Sequence, residues 1–315
     1  MLKEISTAFL NAENIIILPH KSADADCLGS AFALKLILEK IGKRAAVVLE
    51  EKEPQICKIL HGVEPETGIN PDLVAAVDCG DLGRLGTRTE IFESCPNTVN
   101  LDHHPTNTLF AKHNYVDSAA CATGEIIFAL AELMDIPLDV RIAENLYAAI
   151  TSDCGRFSYN SVTAETHIIT SKLHRCGIDH VKINEFLFER NSMPRIMLLQ
   201  RALNSLEVHC DGKLAAISLT RADLDETGAL DEDISGLITY PRSIETALIA
   251  VCLRESTVAG KVKVSLRSNV FNVAEVAAKF GGGGHVRASG CTVKGSLEEA
   301  KQALFEVLFG LIRGI

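Results

Sequence analysis

Four short apolar segments in the first half of this 315-residue chain each end in an aspartate or a histidine. These segments and the residues that close them are 15–19 with His20, 73–77 with Asp78, 97–101 with Asp102, His103 and His104, and 146–152 with Asp153. In an open α/β sheet, ligands gather at the carboxyl ends of the parallel strands. The pattern therefore predicts that the four segments direct their carboxylates and imidazoles into one crevice.

Amphipathic segments alternate with these apolar runs. Residues 28–41 have a helical period that Gly42 ends, 45–49 is a buried-strand candidate, and 124–134 and 140–151 are typical of helices. The run before Asp153 is too short for its period to distinguish a strand from a helix. Alternating strands and helices predict an α/β domain with a mainly parallel sheet and helices on both faces.

The second half of the chain predicts a smaller α/β domain. Strands are expected at 213–219, 246–251 and 261–267, with a helix capped by Asn272 and a last helix capped by Ser296. A mixed segment separates the halves, so we expect a first domain at 1–188, a linker at 189–205 and a second domain at 206–315.

Composition limits the class of protein. With 47% hydrophobic and 23% charged residues the chain is typical of globular proteins. No apolar stretch is long enough to predict a membrane span, and the N-terminal residues do not have the layout of a signal peptide. The ten cysteines show no Cys-x-x-Cys spacing, which favours reduced thiols in the cytoplasm. The net charge of −10 argues against a partner as large as a long nucleic acid.

The acidic and histidine residues predict a site for two metal ions. His20, Asp24 and Asp26 lie on one loop within seven residues, so Asp24 could face one ion and Asp26 the other. Asp78 could bridge both ions, while His103 and Asp153 would complete the set of ligands around the second ion. Carboxylates with some imidazole and no thiolate favour Mn²⁺ over structural zinc. Two such ions support in-line displacement at phosphorus.

Each of these residues also has an ordinary structural interpretation. A single aspartate after a strand is more often a helix cap or turn residue than a ligand, and a single histidine more often packs beside the sheet. Asp153 is the weakest member, because Ser152-Asp153-Cys154-Gly155 would also serve as a turn. Six candidate ligands in one domain are nevertheless hard to obtain from capping alone. The cysteines that follow ligands, Cys27, Cys79 and Cys154, are expected to pack into the core.

A glycine-rich segment near the C-terminus predicts a phosphate-binding element. In Gly281–Gly284 the backbone N–H groups can approach an anion without side chains in the way, and His285 and Arg287 follow. Arg267 could add a second positive contact. The alternative is a flexible glycine turn with exposed basic residues. The segment is neither an NTPase P-loop nor a dinucleotide fingerprint.

Together, these motifs resemble the DHH phosphoesterase superfamily. His20-x-x-x-Asp24-x-Asp26, Asp78, Asp102-His103-His104 and Asp153 are similar to its four motifs, and Gly282-Gly283-Gly284-His285 is similar to the signature of its DHH-associated C-terminal domain. The compact length most resembles the bifunctional oligoribonuclease and 3′-phosphoadenosine 5′-phosphate phosphatase group. Two departures are Ser22, where the family often has Asn, and Arg287, which not every branch shares.

The resemblance implies a role for each matching residue. His20, Asp24 and Asp78 would hold one ion, and Asp26, Asp78, His103 and Asp153 the other, usually manganese. Asp102 would orient its neighbours and His104 would face the scissile phosphate. The implied substrate-binding residues are Arg267, Gly282, Gly283, Gly284, His285 and Arg287. The implied partners are short oligonucleotides or small nucleotide phosphates, and the resemblance alone makes a homodimer plausible.

The expected function is metal-dependent hydrolysis of very short oligonucleotides, removal of the 3′-phosphate of 3′-phosphoadenosine 5′-phosphate, or both. The second domain would close over the substrate, with hinge motion at the linker. Alternatives in the same superfamily are a cyclic or linear dinucleotide phosphodiesterase, a pyrophosphatase and a long-strand exonuclease. A non-catalytic nucleotide sensor and a structural oligomer with capping acids also stay open; the latter predicts no metal uptake.

Overall fold

The computed structural model describes residues 1–64 and 68–314 and divides the chain into two compact units, Met1–Arg190 and Asn191–Ile315. Most of the segment that we interpreted as a linker, 189–205, is helical. Met193–Asn204 form a helix, and its Leu198 and Ala202 are buried in a hydrophobic cluster of the second unit. No helix in the described ranges is both long and apolar enough to cross a membrane.

The first unit contains seven α-helices and five strands in its described residues. In chain order they are α1 (Leu2–Asn11), β1 (Asn14–Pro19), α2 (Ala25–Lys40), β2 (Arg44–Val47), β3 (Leu73–Val77), α3 (Thr89–Ser94), β4 (Thr98–Asp102), β5 (His113–Val116), α4 (Thr123–Leu133), α5 (Val140–Asp153), α6 (Ala164–Arg175) and α7 (His180–Asn184). Short 3₁₀ segments occupy Gln55–Lys58 and Leu82–Arg88, and a π-helical turn occupies Glu185–Glu189.

The five strands form one sheet in the order β2-β1-β3-β4-β5, and every neighbouring pair is parallel. Both faces of the sheet are covered, since alternate residues of a strand point to opposite sides. On one face Ile15 and Ile17 pack with residues of α1, α2, α4 and α5. On the other face Ile16 and Leu18 pack with Leu85 and with residues of α3. The predicted parallel sheet with helices on both faces is confirmed.

The apolar run before Asp153 is helical. Its residues form the second half of α5, and Asp153 is the last residue of that helix. α5 packs closely on α2, because Gly29 of α2 has no side chain there. A Cβ on Gly29 would lie 2.5 Å from the backbone oxygen of Asn145. This close approach fixes the position of Asp153 relative to the loop before α2.

The second unit contains five α-helices and six strands in its described residues. They are α8 (Met193–Asn204), β6 (Glu207–His209), β7 (Leu214–Leu219), α9 (Arg221–Thr227), α10 (Thr239–Arg242), β8 (Ile249–Glu255), β9 (Lys261–Ser268), α11 (Val273–Ala278), β10 (Gly283–His285), β11 (Ala288–Lys294) and α12 (Leu297–Arg313). The strand expected at 246–251 begins three residues later and is longer. Asn272 and Ser296 accept the capping hydrogen bonds expected of them.

The sheet of the second unit has the order β10-β11-β9-β8-β7-β6. β7 and β8 are parallel, and the other neighbouring pairs are antiparallel. Helices α11 and α12 pack on one face of the sheet, and α8 and α9 contribute to the apolar cluster on the other. The prediction of a second, smaller α/β domain is confirmed.

Candidate metal centre and active site

The candidate site lies where the strand order of the first sheet reverses. β1 and β3 are neighbours, and their helical connections leave in opposite directions, which opens a crevice beyond the carboxyl ends of these strands. His20 follows β1 directly and Asp78 follows β3 directly. His103 follows the last residue of β4. The sheet topology therefore brings together residues that are 83 positions apart in the chain.

Asp78 is at the centre of the site. Its side chain is buried, and its backbone adopts φ 59°, a left-handed conformation that is uncommon for residues other than glycine. Asp78 Oδ2 lies 3.6 Å from His20 Nε2, whereas Oδ1 lies 3.7 Å from His103 Nε2. The Thr123 hydroxyl donates a hydrogen bond of 2.8 Å to Oδ1. The two oxygens of one carboxylate thus face two different histidines, as a bridging ligand requires.

The N-terminus of α4 holds the carboxylate of Asp26. The backbone N–H of Thr123 donates to Asp26 Oδ2 at 2.8 Å, and the N–H of Gly124 donates to Oδ1 at 3.0 Å. The Ser30 hydroxyl also donates to Oδ1, at 3.1 Å. These N–H groups are among those at a helix start that have no partner within the helix, and they favour a negative charge. The buried side chain of Asp26 is therefore fixed with its carboxylate beside Asp78.

Both histidines that face Asp78 are oriented by backbone carbonyl groups. His20 Nδ1 donates to the carbonyl of Lys21 at 2.8 Å, and His103 Nδ1 donates to the carbonyl of Ala120 at 3.3 Å. Because a carbonyl can only accept, the proton is on Nδ1 and the Nε2 lone pair is available to a metal ion. This arrangement is the usual one for histidine ligands.

The remaining two candidate ligands lie nearer to the surface. Asp153 Oδ2 is 3.4 Å from His103 Nε2, which in turn is 3.9 Å from Asp26 Oδ2. Asp24 is more loosely associated with the site. It caps α2 by accepting a hydrogen bond from the N–H of Cys27, and its Oδ1 is 4.0 Å from His20 Nε2. Asp24 belongs to none of the metal-compatible groups that the described residues form.

The spacing of these atoms fits metal ions better than direct hydrogen bonds. The nitrogen-to-oxygen distances among His20, Asp78, His103 and Asp153 are 3.4–3.7 Å, longer than normal hydrogen bonds. Two ligands that each lie roughly 2.1 Å from one ion are about 3–4 Å apart. Asp26, His103 and Asp153 form one metal-compatible group, and His20 and Asp78 belong to a second. The donor set of carboxylate oxygen and imidazole nitrogen fits Mn²⁺.

The carboxylates have strongly perturbed pKa values in the absence of a cation. Burial, with the charges of Asp78 and Asp153, raises the pKa of Asp26 well above its ordinary value. Burial likewise raises the pKa of Asp153 to about 6. Burial acts in the same direction on Asp78, but the close approach of His20 and the charges of the nearby histidines outweigh it and lower the pKa of Asp78. This crowding of negative charge favours binding of a divalent cation.

Asp102 and His104 form a hydrogen-bonded pair beside Asp78. Asp102 is fully buried, and its Oδ1 accepts a 2.7 Å hydrogen bond from His104 Nδ1. Its Oδ2 accepts a 2.6 Å hydrogen bond from the side-chain amide of Asn107. The bond to Asp102 is the main cause that raises the pKa of His104 to about 9. His104 is therefore a fixed, protonated imidazolium near the site, 28% exposed and able to contact a ligand.

The three cysteines next to candidate ligands are all buried. Cys27 accepts from the N–H of His20 and donates to the carbonyl of Val77. Burial is the main cause that raises its pKa well above the ordinary value, so Cys27 stays a neutral thiol beside the site. This fits the expectation that these cysteines pack in the core, and it argues against Cys27 as a thiolate ligand.

The glycines of the second unit form part of a β-hairpin. β10 and β11 are antiparallel, and Val286 and Arg287 form the two-residue turn between them. A Cβ on Gly282 would lie 2.2 Å from the carbonyl oxygen of Gly290, and Gly284 has φ +136°. The glycines at these positions are therefore needed for close strand pairing, whether or not they also bind an anion.

Arg267 and His285 lie on the same face of the second sheet. Arg267 pairs with Ala288, which pairs in turn with His285, and residues directly opposite each other point to the same side. Arg287 lies at the exposed turn of the hairpin, where its Nη1 donates to the carbonyl of Phe271 at 3.3 Å. The predicted basic residues thus cluster at one end of the second sheet.

Several residues of the site do not follow from the motifs. Thr123 and Gly124 hold two carboxylates, and Asn107 holds Asp102. The apolar period predicts the helix that begins near Gly124, and the free N–H groups expected at any helix start are the one signal in the sequence for an anion there. Asn107 has no comparable signal, because its role depends on the loop after β4.

Comparison with known proteins identifies both halves of the chain. Residues 14–150 match the N-terminal domain of the DHH family, and residues 212–313 match the DHHA1 domain. A Thermus thermophilus protein named bifunctional oligoribonuclease and PAP phosphatase NrnA is 28% identical over 93% of this chain and 89% of its own length. A Streptococcus mutans protein named as a probable NrnA is 29% identical over 88% of this chain and 89% of its own.

A solved structure agrees with this assignment. An exopolyphosphatase-related protein from Bacteroides fragilis superposes with a TM-score of 0.89 at 29% identity, covering 97% of this chain and 94% of that one. The two matched domains account for most of the chain, and their order is that of the motifs. The chain therefore combines the N-terminal domain of the DHH family, at residues 14–150, with a DHHA1 domain at residues 212–313.

Proposed function

We propose that this protein is a metal-dependent phosphoesterase that hydrolyses very short oligonucleotides to mononucleotides and removes the 3′-phosphate of 3′-phosphoadenosine 5′-phosphate. The observation that carries the proposal is the arrangement of Asp78, whose two oxygens face His20 on one side and His103 on the other. Membership of the DHH family supports hydrolysis of an ester bond.

The residues present fit two divalent ions, which we propose to be manganese. His20, Asp24 and Asp78 would hold one ion, and Asp26, Asp78, His103 and Asp153 the other. When bound, such ions supply Lewis-acid polarisation of a phosphoryl oxygen and a nucleophilic water at neutral pH. The proposal is supported by the orientation of His20 and His103 through their Nδ1 hydrogen bonds and by the helix N-terminus that holds Asp26.

His104 is proposed to act on the substrate directly. Its hydrogen bond to Asp102 keeps the imidazole protonated and directs Nε2 away from that buried carboxylate. A protonated imidazole can stabilise charge on the phosphoryl group or protonate the leaving oxygen. Asp102 is a positioning residue, since it is completely buried and acts through His104.

Two observations support small nucleotides as the substrates: the activities for which the relatives are named, and the net negative charge of this chain. The relatives from Thermus and Streptococcus are named for oligoribonuclease and PAP phosphatase activity. A net charge of −10 disfavours long nucleic acid. In the second unit, we propose that Arg267, His285 and Arg287, with the backbone of Gly282–Gly284, bind a further phosphate of the substrate.

The proposal places the protein in the cytoplasm as a homodimer. The ten cysteines are all free thiols, which suits a reducing compartment. The homodimer rests on the family resemblance, and sedimentation of the purified protein at several concentrations would test it.

The experiment that tests the function measures Mn²⁺-dependent release of mononucleotide from 5′-phosphorylated RNAs of two to about fifteen nucleotides. 3′-Phosphoadenosine 5′-phosphate and linear and cyclic dinucleotides are assayed in parallel, with Asp78→Asn as the inactive control. We expect rapid turnover of the shortest RNAs that falls with length, together with phosphate release from the bisphosphate.

Each of three other results would indicate a different function for this protein. Activity that stays level or rises with length would indicate an exonuclease of long strands. Turnover confined to cyclic or linear dinucleotides would indicate a dinucleotide phosphodiesterase. Nucleotide binding without turnover by any divalent metal would indicate a sensor.

A further inference from the structure

Arg84 lies beside the candidate active site and belongs to none of the motifs. We propose that its guanidinium binds a phosphoryl oxygen of the substrate next to His104. This inference rests on the proposed function for its ligand class, because it requires a substrate with a phosphoryl group. It adds a positively charged substrate contact in the first unit, whereas both arginines of the motifs, Arg267 and Arg287, belong to the second unit.

The segment that carries Arg84 is hydrogen-bonded to one loop of the site and follows a loop that lies beside His104. Arg84 belongs to the 3₁₀ segment Leu82–Arg88, six residues after Asp78. Its carbonyl accepts a 2.8 Å hydrogen bond from the N–H of Lys21, the residue after His20. In the same loop, Gly80 packs against His104, where a Cβ on the glycine would lie 3.8 Å from His104 Cβ. The backbone at Arg84 is thus bonded to the loop that carries His20, and the chain that leads to it from Asp78 passes beside His104.

The guanidinium of Arg84 has no partner among the residues that the structure describes. Its Nε is buried without a hydrogen bond, and none of the ion pairs among the described residues involves its side chain. Leaving a buried donor without an acceptor is unfavourable, so native proteins seldom retain one without a reason. An acceptor supplied by a ligand would satisfy this group.

Arg88, in the same 3₁₀ segment, does find hydrogen-bond partners within the protein. Arg88 donates from Nε to Glu50 at 3.1 Å and from Nη1 to the carbonyl of Val48 at 2.6 Å. Only its Nη2 is buried without a partner. Arg88 is therefore a structural residue that ties the segment to the loop after β2, and Arg84 differs from it because no described carboxylate pairs with it.

The positive charge of Arg84 acts on His104 and on Cys79, the residue after Asp78. Its effect on both residues agrees with the position of the Leu82–Arg88 segment, whose backbone at Arg84 is bonded to Lys21 and which follows Gly80 beside His104.

A phosphoryl group is the ligand that fits this position. The guanidinium offers a planar set of N–H donors that matches two oxygens of a phosphate, and it keeps its charge at every physiological pH. Together with His104 it would provide two nitrogen donors beside the candidate ligands, which are carboxylates and imidazoles. An anion held by these two groups would be adjacent to the proposed metal ions.

The test measures binding of inorganic phosphate to Mn²⁺-loaded full-length protein by calorimetry. Wild type is compared with Arg84→Ala, Arg84→Lys and Arg84→Gln, and Arg141→Ala is the control, because Arg141 is an exposed arginine of the same unit that pairs with Asp139 at 3.5 Å. A charged hydrogen bond contributes about 1.5–3 kcal/mol, so Arg84→Ala should bind phosphate roughly 10- to 100-fold more weakly. Arg84→Lys should be intermediate, and Arg141→Ala should match wild type.

Two further measurements separate this inference from the proposed function and from a folding defect. Mn²⁺ affinity without phosphate should be the same in wild type and in every Arg84 variant that retains the wild-type thermal transition. Phosphate affinity that is unchanged in folded Arg84→Ala and Arg84→Gln would overturn the inference, as would loss of Mn²⁺ binding. Failure of the wild type to hydrolyse any nucleotide would count against the proposed function alone, since phosphate binding is measured independently of turnover.

Discussion

His104 Nδ1 lies 2.7 Å from Asp102 Oδ1, and Asp102 is completely shielded from solvent. This pair sets the charge of the one imidazole that we propose to contact substrate. Metal-free His104 should titrate near pH 9 in NMR spectra of the folded protein, well above its ordinary value of 6.5. In Asp102→Asn the pKa should return toward that value, because the carboxylate that favours the charged imidazole is gone.

The same pair makes the stability of the metal-free protein depend on pH. Because the pKa of His104 is raised in the folded state, its stabilising contribution is complete below about pH 6.5 and is lost as the pH rises through about 9. Urea unfolding should show a loss of up to about 3 kcal/mol across this window. A smaller loss is expected for Asp102→Asn, and an equal loss in both proteins would assign the pH dependence to other groups.

Substitution of Asp78 should abolish hydrolysis of every substrate. Asp78→Ala removes both oxygens that face the histidines. We expect turnover to fall by more than about 100-fold, because substitution of residues that only hydrogen-bond to metal ligands already lowers activity about 10–100-fold. Asp78→Asn is the better control of folding, because Asn tolerates the φ of 59° at this position. Substantial turnover by either folded variant would refute the bridging role of Asp78.

Thr123 should contribute to metal binding although it is not a candidate ligand. Thr123→Val keeps the backbone N–H that holds Asp26 but removes the hydroxyl that donates to Asp78 Oδ1. Mn²⁺ affinity should fall by about 10–100-fold. Thr151→Val is a matched control, because the Thr151 hydroxyl is buried without a described partner, and its loss should leave stability and metal affinity nearly unchanged. Equal metal affinities of the two variants would contradict this prediction.

Gly29 should be required for the close packing of α2 on α5. In Gly29→Ala the new methyl group would lie 2.5 Å from the backbone oxygen of Asn145, so we expect a loss of about 1–3 kcal/mol in the free energy of unfolding. Gly310→Ala in α12 is the control, because no atom lies within 4 Å of its Cβ position and alanine favours the helix. That variant should gain roughly 0.5–1 kcal/mol, measured by denaturant unfolding.

Arg287 should discriminate between substrates rather than support hydrolysis in general. Arg287 lies at the exposed turn between β10 and β11. We therefore expect Arg287→Ala to weaken binding of 5′-phosphorylated RNA more than it lowers the rate of hydrolysis of a generic phosphodiester. Steady-state kinetics on both substrates measure the difference, with Arg242→Ala as an exposed control from the same unit. Equal losses on both substrates would count against a role for Arg287 in binding the phosphorylated end.

Much of this structure could be predicted from local patterns in the sequence. The apolar runs that end at His20, Asp78 and Asp102 predict parallel strands, and helical periods predict α2, α4 and α5 to within a few residues. Local pattern is sufficient there because strand and helix periods are set by the backbone, and because the carboxyl ends of parallel strands must share one edge.

The rest depends on contacts between distant segments, which a local pattern cannot encode. The run before Asp153 is a helix, because its residues pack on α2 rather than in the sheet. The glycines of the second unit serve a hairpin, because β10 pairs closely with β11. The N-terminus of α4 meets Asp26 across 97 positions of chain, and the unpaired Nε of Arg84 is evident only when every neighbour is placed. The sequence by itself determined which side chains carry the chemistry, and the tertiary structure decided how each is held, because orientation depends on hydrogen bonds and packing between elements that are remote in the chain.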